Sequence, residues 1–239
     1  MSGDLMGPIN CIIPARNNGR RLPGKSMVKV GSNPVVQDAI NAAVASGLFG
    51  SRIYVDSEDN KVLNLAMDTG CQPMIRASHL DKTGTRSGDV VLDVLSKIAE
   101  REFVCIIYPT AWGLTGLDLM EMWRYLSVSA TNVEPKAQDM GVMTVTKPLE
   151  HPLGALYVQD GLLQTGAVRP APEEEYPEMV VDAGYAYMYT TAAFKAHGFY
   201  PPLLKGYPLP RNRCLDIGNW EDLALAQVMR AAIWKGRAA

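Results

Sequence analysis

Residues Ile9 to Lys25 read INCIIPARNNGRRLPGK, and how this stretch divides decides the fold. Ile9 to Ile13 is an apolar run, the pattern of a strand buried on both faces of a parallel sheet. From Pro14 onward a loop holds two Gly, two Pro, three Arg and one Lys. In α/β folds a loop at the C-terminal end of a first parallel strand is where phosphate ligands bind. Four fixed cations suit a polyanion such as a nucleoside triphosphate. Gly and small polar residues let backbone N–H groups approach phosphate oxygens. Neither a P-loop nor a dinucleotide fingerprint is present. The residues alone therefore leave two readings open, a triphosphate cradle and a solvated basic loop.

Beyond this loop the pattern predicts alternating helices and strands. Val35 to Leu48 carries apolar residues at Val36, Ile40, Ala43, Val44 and Leu48, with Asn33 as cap and Pro34 at the first helical position. Arg52 to Val55 reads as a strand, Glu58 to Thr69 as a helix stopped by Gly70, and Gln72 to Ile75 as a strand. Gly88 to Arg101 is a helix, Phe103 to Tyr108 a strongly apolar strand, and Leu117 to Leu126 a helix. After Asn132 the rhythm changes. Asp139 to Thr146 reads as a strand. Ala155 to Val158 and Leu162 to Thr165 form a hairpin about Asp160-Gly161. Val168 to Glu178 reads as a loop, Tyr185 to Thr190 as a strand, and Phe199 to Arg213 as extended. Trp220 to Lys235 closes as a helix capped by Asn219. The expected fold is a three-layer, Rossmann-like α/β sandwich with a mostly parallel sheet. It forms one domain over 1–239, with a hairpin-bearing extension at about 140–180.

Composition narrows the function. The 239 residues are 47% hydrophobic with a net charge of −2, which marks a folded globular chain. No basic excess argues for nucleic acid, and no apolar run reaches the roughly 20 residues of a membrane span. Met1 to Asn10 has no cationic start and no long apolar core, so a cytoplasmic protein is expected. The four Cys and three His are scattered and form no zinc spacing.

Four further segments carry candidate chemistry, each with a plain structural alternative. Arg76 to Ser87 is a Ser/Thr-rich loop before a helix, suited to a base or phosphate, or simply to capping by Ser87. Tyr108-Pro109-Thr110-Ala111 tips the most apolar strand, as a substrate-positioning corner or an ordinary Pro turn. Asp182-Ala183-Gly184 precedes a strand, as a site or a tight turn. Pro210 to Asp222 contains Asp216, a metal candidate or a partner for Arg213.

Together these segments resemble the nucleotidyltransferases that make CMP-activated acidic sugars. That family opens with a pattern close to I-P-A-R-x-x-S-x-R-x-P-x-K, matched by Ile13, Pro14, Ala15, Arg16, Arg21, Pro23 and Lys25. Gly19 replaces its Ser, and Arg20 stands where sialic-acid-type members often have Lys. Arg76, Leu80, Thr85 and Ser87 fall on its second motif, with Ala77 for Pro. Tyr108-Pro109-Thr110-Ala111 and Asp182-Ala183-Gly184 look like its pseudaminic-acid branch, with Trp112 for the usual Pro. The last motif, P-R-x-R-x-x-D-I-D-x-x-E-D-W, is similar to Pro210 to Asp222, with Asp216 on its first metal-holding Asp and Gly218 in place of the second.

The resemblance implies a CTP-dependent cytidylyltransferase acting on a nine-carbon acidic sugar: pseudaminic, legionaminic or sialic acid. It implies CTP contacts from Pro14, Ala15, Arg16, Arg20, Lys25, Ser26, Arg76, Thr85 and Ser87. Tyr108, Thr110 and Asp182 fall to the sugar. Catalysis falls to Arg16, Lys25 and Asp216, with Mg²⁺ on Asp216, and the family commonly forms homodimers. Two alternatives stand beside it. One is transfer to Kdo, the eight-carbon acidic sugar. The other is a nucleotide-binding protein that has lost catalysis, a reading fed by Gly19, Trp112 and Gly218.

Overall fold

The computed structural model describes residues 9–82, 84–132, 139–160, 162–165 and 175–236. Its main sheet has seven strands. The first is β1 (Ile9–Pro14), buried at every position. Two minor strands, β2 (Lys29–Val30) and β3 (Asn33–Pro34), pair with each other. β4 (Ile53–Ser57), β5 (Gln72–Ile75), β6 (Phe103–Ile107) and β7 (Met140–Thr146) follow. β8 (Leu156–Gln159) and β9 (Leu162–Thr165) form a separate antiparallel pair. β10 (Val181–Thr190) and β11 (Leu203–Pro208) complete the set.

The sheet order is β11-β7-β10-β6-β1-β4-β5. β1 runs parallel to β4 and β6, β4 to β5, and β11 to β7. β10 lies antiparallel between β6 and β7. Alternate side chains of each central strand enter opposite faces. Ile9, Cys11 and Ile13 pack on one side with α1 (Val35–Ser46), α2 (Asn60–Asp68), α4 (Gly116–Asn132) and α6 (Trp220–Gly236). Ile12, Val104 and Ile106 pack on the other with α3 (Ser87–Leu95) and α5 (Thr191–His197). The expected three-layer α/β sandwich is what the chain forms. Among the described residues no helix is long and apolar enough to cross a membrane.

Several boundaries differ from expectation for identifiable reasons. Asn33 and Pro34 pair as a strand with Lys29 and Val30, so Pro34 stands at the cap position itself. Asn33 instead donates its amide to Asp38. Val44 is 52% exposed because the buried stripe of α1 runs through Val36, Ala39, Ile40 and Ala43. α2 begins two residues late, capped by the Asp59 carboxylate on the Lys61 N–H, because Glu58 is drawn to the basic loop. α3 starts one residue early, at Ser87, and stops at Leu95, so Arg86 and not Ser87 stands at the cap position, with no side-chain capping bond. Asp182-Ala183-Gly184 lies inside β10, where the register shifts, and Gly184 takes φ 67°. Helix α5, missed in the sequence, is a single short segment capped by the Thr190 hydroxyl. The Pro-rich run extends as β11 but ends in a single 3-10 turn at Arg211–Arg213, and β11 tolerates Pro208 because it is an edge strand. The expected turn at Gly161 and most of the loop from Val168 lie outside the described residues.

Because β6, β1 and β4 run parallel, their C-terminal ends meet at one rim. The antiparallel β10 brings its N-terminal end, with Asp182 opposite Val145, to that same rim.

Candidate functional site

The basic loop leaves β1 at Pro14 and is held by short-range and long-range contacts. Gly24 N–H donates to Asn17 O at 2.9 Å, closing the loop on itself with Gly24 at φ 72°. Ser26 N–H donates to Asn17 Oδ1 at 3.0 Å, and the fully buried Ser26 hydroxyl donates to Arg16 O at 2.8 Å. The N–H groups of Asn17 and Asn18 both donate to Glu58 Oε1, at 2.7 and 2.8 Å. These two loop amides are thus occupied by a carboxylate, contrary to the expectation that the loop backbone faces phosphate. The Arg16 guanidinium reaches Asn18 Oδ1 and Lys82 O, bridging to the second loop.

A cavity of about 230 Å³ opens beside this loop. Arg16, Gly19 and Lys25 line it from the first loop, Ser87 from the start of α3, Tyr108 and Thr110 from the end of β6, and Asp216 from the C-terminal segment. The Lys25 ammonium stands 3.7 Å from Asp216 Oδ1, and the Thr110 hydroxyl donates to the same oxygen at 3.0 Å. The Asp216 side chain remains 57% exposed. The plainer pairing with Arg213 is absent, since Arg213 forks onto Asp118 at 2.6 and 2.7 Å. A second cavity of about 340 Å³ continues past Arg20, Arg21 and Gly218. A third, of about 270 Å³, meets Asp216 from the side of Asp182, Arg211 and Cys214.

Asp216 is positioned by a clamp on its neighbours. The Tyr185 hydroxyl donates to Leu215 O at 3.2 Å and accepts the Leu215 N–H at 3.1 Å. Trp112 Nε1 donates to Leu215 O at 3.1 Å. Gly113 lies so close that a Cβ there would stand 1.8 Å from Arg213 O. Trp112, 2% exposed, is therefore a brace beneath Asp216 and not a lining group of its cavity.

Burial pushes the Tyr108 phenol above its ordinary value, against an opposing hydrogen bond to Ser87. It is a neutral hydrogen-bonding group near neutral pH. The Asp182 carboxylate accepts the Tyr187 hydroxyl at 2.9 Å on both oxygens and the Gly184 N–H at 2.8 Å. Burial likewise raises the Tyr187 phenol, helped by that carboxylate.

The structure brings together Pro14, Arg16, Lys25, Ser87, Tyr108, Thr110 and Asp216, with Arg20 and Asp182 in the adjoining cavities. Four expected ligand contacts stand elsewhere. Ala15 is buried and donates its N–H to Asp56 O, and Ser26 is committed as above. Thr85 is outside the lining, its N–H turned back to Lys82 O. Arg76 is buried in an ion pair at 2.6 Å with Asp56, and 3.8 Å from Glu58. Burial raises the Asp56 carboxyl, with Arg76 opposing. Among the described residues no three His, Cys, Asp or Glu side chains form a metal cluster. Asp216 nonetheless fits Mg²⁺: it is one exposed carboxylate, and this ion commonly takes one or two with phosphate oxygens and water.

Residues 10–111 match the family described as Cytidylyltransferase. Pseudaminic acid cytidylyltransferase of Campylobacter jejuni is 25% identical over 232 residues, spanning 92% of this chain and 94% of that protein. In sequence the chain is similar to these cytidylyltransferases. N-acylneuraminate cytidylyltransferase of Streptococcus agalactiae is 32% identical over 123 residues, or 51% of this chain and 30% of that protein. In fold, the chain is similar to CMP:2-keto-3-deoxy-manno-octonic acid synthetase complexed with CTP. The TM-score is 0.67 at 12% identity, over 95% of this chain and 99% of that one. The expected class of enzyme, a nucleotidyltransferase, is the class of these relatives.

Proposed function

We propose that the protein transfers the cytidylyl group of CTP to the anomeric hydroxyl of a nine-carbon acidic sugar, releasing pyrophosphate. The observation that carries this reading is the placement of Lys25 and Thr110 on Asp216 within one basic cavity. The relatives named for pseudaminic and N-acylneuraminic acids support the sugar class.

In this reading Arg16, Arg20 and Lys25 hold the phosphates and stabilise charge on the departing pyrophosphate. Ser87 faces the cytidine. Thr110, Tyr108 and Asp182 orient the acceptor, which enters from the cavity shared by Asp182, Arg211 and Asp216. The anomeric oxygen attacks the α-phosphorus and gives its proton to water, while the bond from that phosphorus to the bridging oxygen breaks and pyrophosphate leaves. Positioning supplies much of the acceleration. Asp216 would hold Mg²⁺, which neutralises phosphate charge and eases loss of the hydroxyl proton. His79, His151 and His197 do not line the cavity, so no histidine serves as base.

We further propose a homodimer joined through the hairpin of β8 and β9. Val158 and Leu162 there are 70% and 68% exposed, and a lone two-stranded hairpin is marginal in water. Measuring pyrophosphate release from CTP with a panel of eight- and nine-carbon acidic sugars, with and without Mg²⁺, tests the function. Turnover is expected with a nine-carbon sugar. Turnover with Kdo alone transfers the reading to the eight-carbon class, and none with any sugar overturns it.

A further inference from the structure

The segment after β4, Glu58-Asp59, faces the basic loop, and the sequence pattern reads it as the start of a helix. Glu58 Oε1 instead accepts two successive loop N–H groups, from Asn17 and Asn18. Successive amides converging on one oxygen form a small anion-binding concavity, and here the anion belongs to the protein. Asp59 continues the contact, accepting the Asn17 side-chain amide. Glu58 Oε2 is buried with no hydrogen bond, and Arg76 Nη1 lies 3.8 Å from it. A buried carboxylate oxygen is costly unless a cation compensates it. Arg76 is fixed in turn by Asp56 at 2.6 Å, so it is not free to swing into the cavity.

We propose that Glu58 is a positioning residue for nucleotide binding, with Arg76 as its brace; this rests on the reading of the basic loop as a phosphate site. The chain of contacts runs from Asp56 through Arg76 and Glu58 to Asn17 and Asn18, the residues directly after Arg16. Through Asn17 Oδ1 it extends to Ser26 N–H, next to Lys25. Two of the three cations assigned to phosphate, Arg16 and Lys25, thus adjoin groups in this network. Arg76 contributes as a buried strut.

The test compares Glu58→Ala and Glu58→Gln with the wild type. Calorimetry measures binding of CTP with Mg²⁺, steady-state kinetics measures KM for CTP and for the sugar, and hydrogen exchange follows the Asn17 and Asn18 amides. Glu58→Ala should weaken CTP binding at least tenfold, leave the sugar KM within twofold, and speed exchange at both amides with little change in Tm. Glu58→Gln keeps an acceptor oxygen and should recover most of the CTP affinity. CTP affinity in Glu58→Ala within twofold of wild type overturns the proposal. So does a parallel rise of both KM values with a falling Tm, which marks a purely structural role, or a Gln variant no better than Ala. Failure of the wild type to bind CTP is a separate result, and it removes the phosphate reading and this proposal together.

Discussion

The Thr110 hydroxyl donates to Asp216 Oδ1 at 3.0 Å, tying the tip of β6 to a residue 106 positions further along the chain. Lys25 reaches the same oxygen at 3.7 Å from a third part of the sequence. One carboxylate therefore joins three of the four segments that border the cavity, and its removal should be felt in each. Asp216→Asn should lower kcat by two or more orders of magnitude and raise the Mg²⁺ needed for half-maximal rate. Thr110→Val should cost about tenfold, through loss of one hydrogen bond of about 1.5 kcal/mol to a charged group. Rates and Mg²⁺ requirements equal to wild type in both variants would remove Asp216 from the proposed reaction.

Lys25→Ala removes a cation from a loop that carries little core. Each charge-assisted contact is worth about 1.5–3 kcal/mol, so kcat/KM for CTP should fall by one to two orders of magnitude with a near-native Tm. Arg16→Ala should fall at least as far and destabilise slightly, since Arg16 also bridges to Asn18 and Lys82. Activity within twofold of wild type in both would sink the loop assignment.

Gly218 stands where the resembling family has a second Asp. Its φ lies outside the left-handed region, so a side chain is not barred by the backbone. A Cβ there would stand 3.2 Å from Asp222 Oδ2, the oxygen that accepts the Gly218 and Asn219 N–H groups at the start of α6. Gly218→Asp should therefore lower Tm by a few degrees, through like-charge crowding at this cap, about 1 kcal/mol. It should also tighten Mg²⁺ binding in the presence of CTP. Unchanged metal dependence in a folded variant would place the metal elsewhere.

Asp118 offers a test of stability against pH. Burial alone would raise its carboxyl, but hydrogen bonds from Arg213 and Thr115 outweigh it and hold the group below its ordinary value. A carboxyl depressed in the folded state stabilises the protein above the ordinary carboxylate range and loses that contribution as pH falls through it. Asp118→Asn should cost about 3 kcal/mol at neutral pH, and the gap between variant and wild type should narrow steadily in acid. Denaturant melts across that range measure it. A gap independent of pH would contradict the pairing.

The exposed hairpin predicts assembly. Val158→Glu with Leu162→Glu should convert a dimer to a monomer in light scattering at tens of micromolar, leaving CTP binding intact. A wild-type monomer under the same conditions would refute the interface.

The sequence by itself determined the first strand over Ile9 to Ile13, one residue short of its observed end, the basic loop behind it, β5 to the residue, and the alternation that makes a three-layer sandwich. Those features are set by periodicity and turn chemistry within a few residues, which a linear pattern displays directly. The helix Thr191–His197 escaped because its seven residues are too few to show a period. Tertiary structure decided which polar side chains face ligand and which serve the frame. Ser26 and Arg76 belong to motifs that suggested contact with CTP, yet one is tied to Arg16 O and the other is buried against Asp56. Glu58 looked like the first turn of a helix and holds a loop 40 residues earlier. Trp112 looked like a departure in the site and is the brace beneath Asp216. Each outcome depends on which strand ends meet at the rim of the sheet. That is set by long-range pairing and by the cost of leaving a buried charge or donor unmatched, and residues close in sequence carry no record of it.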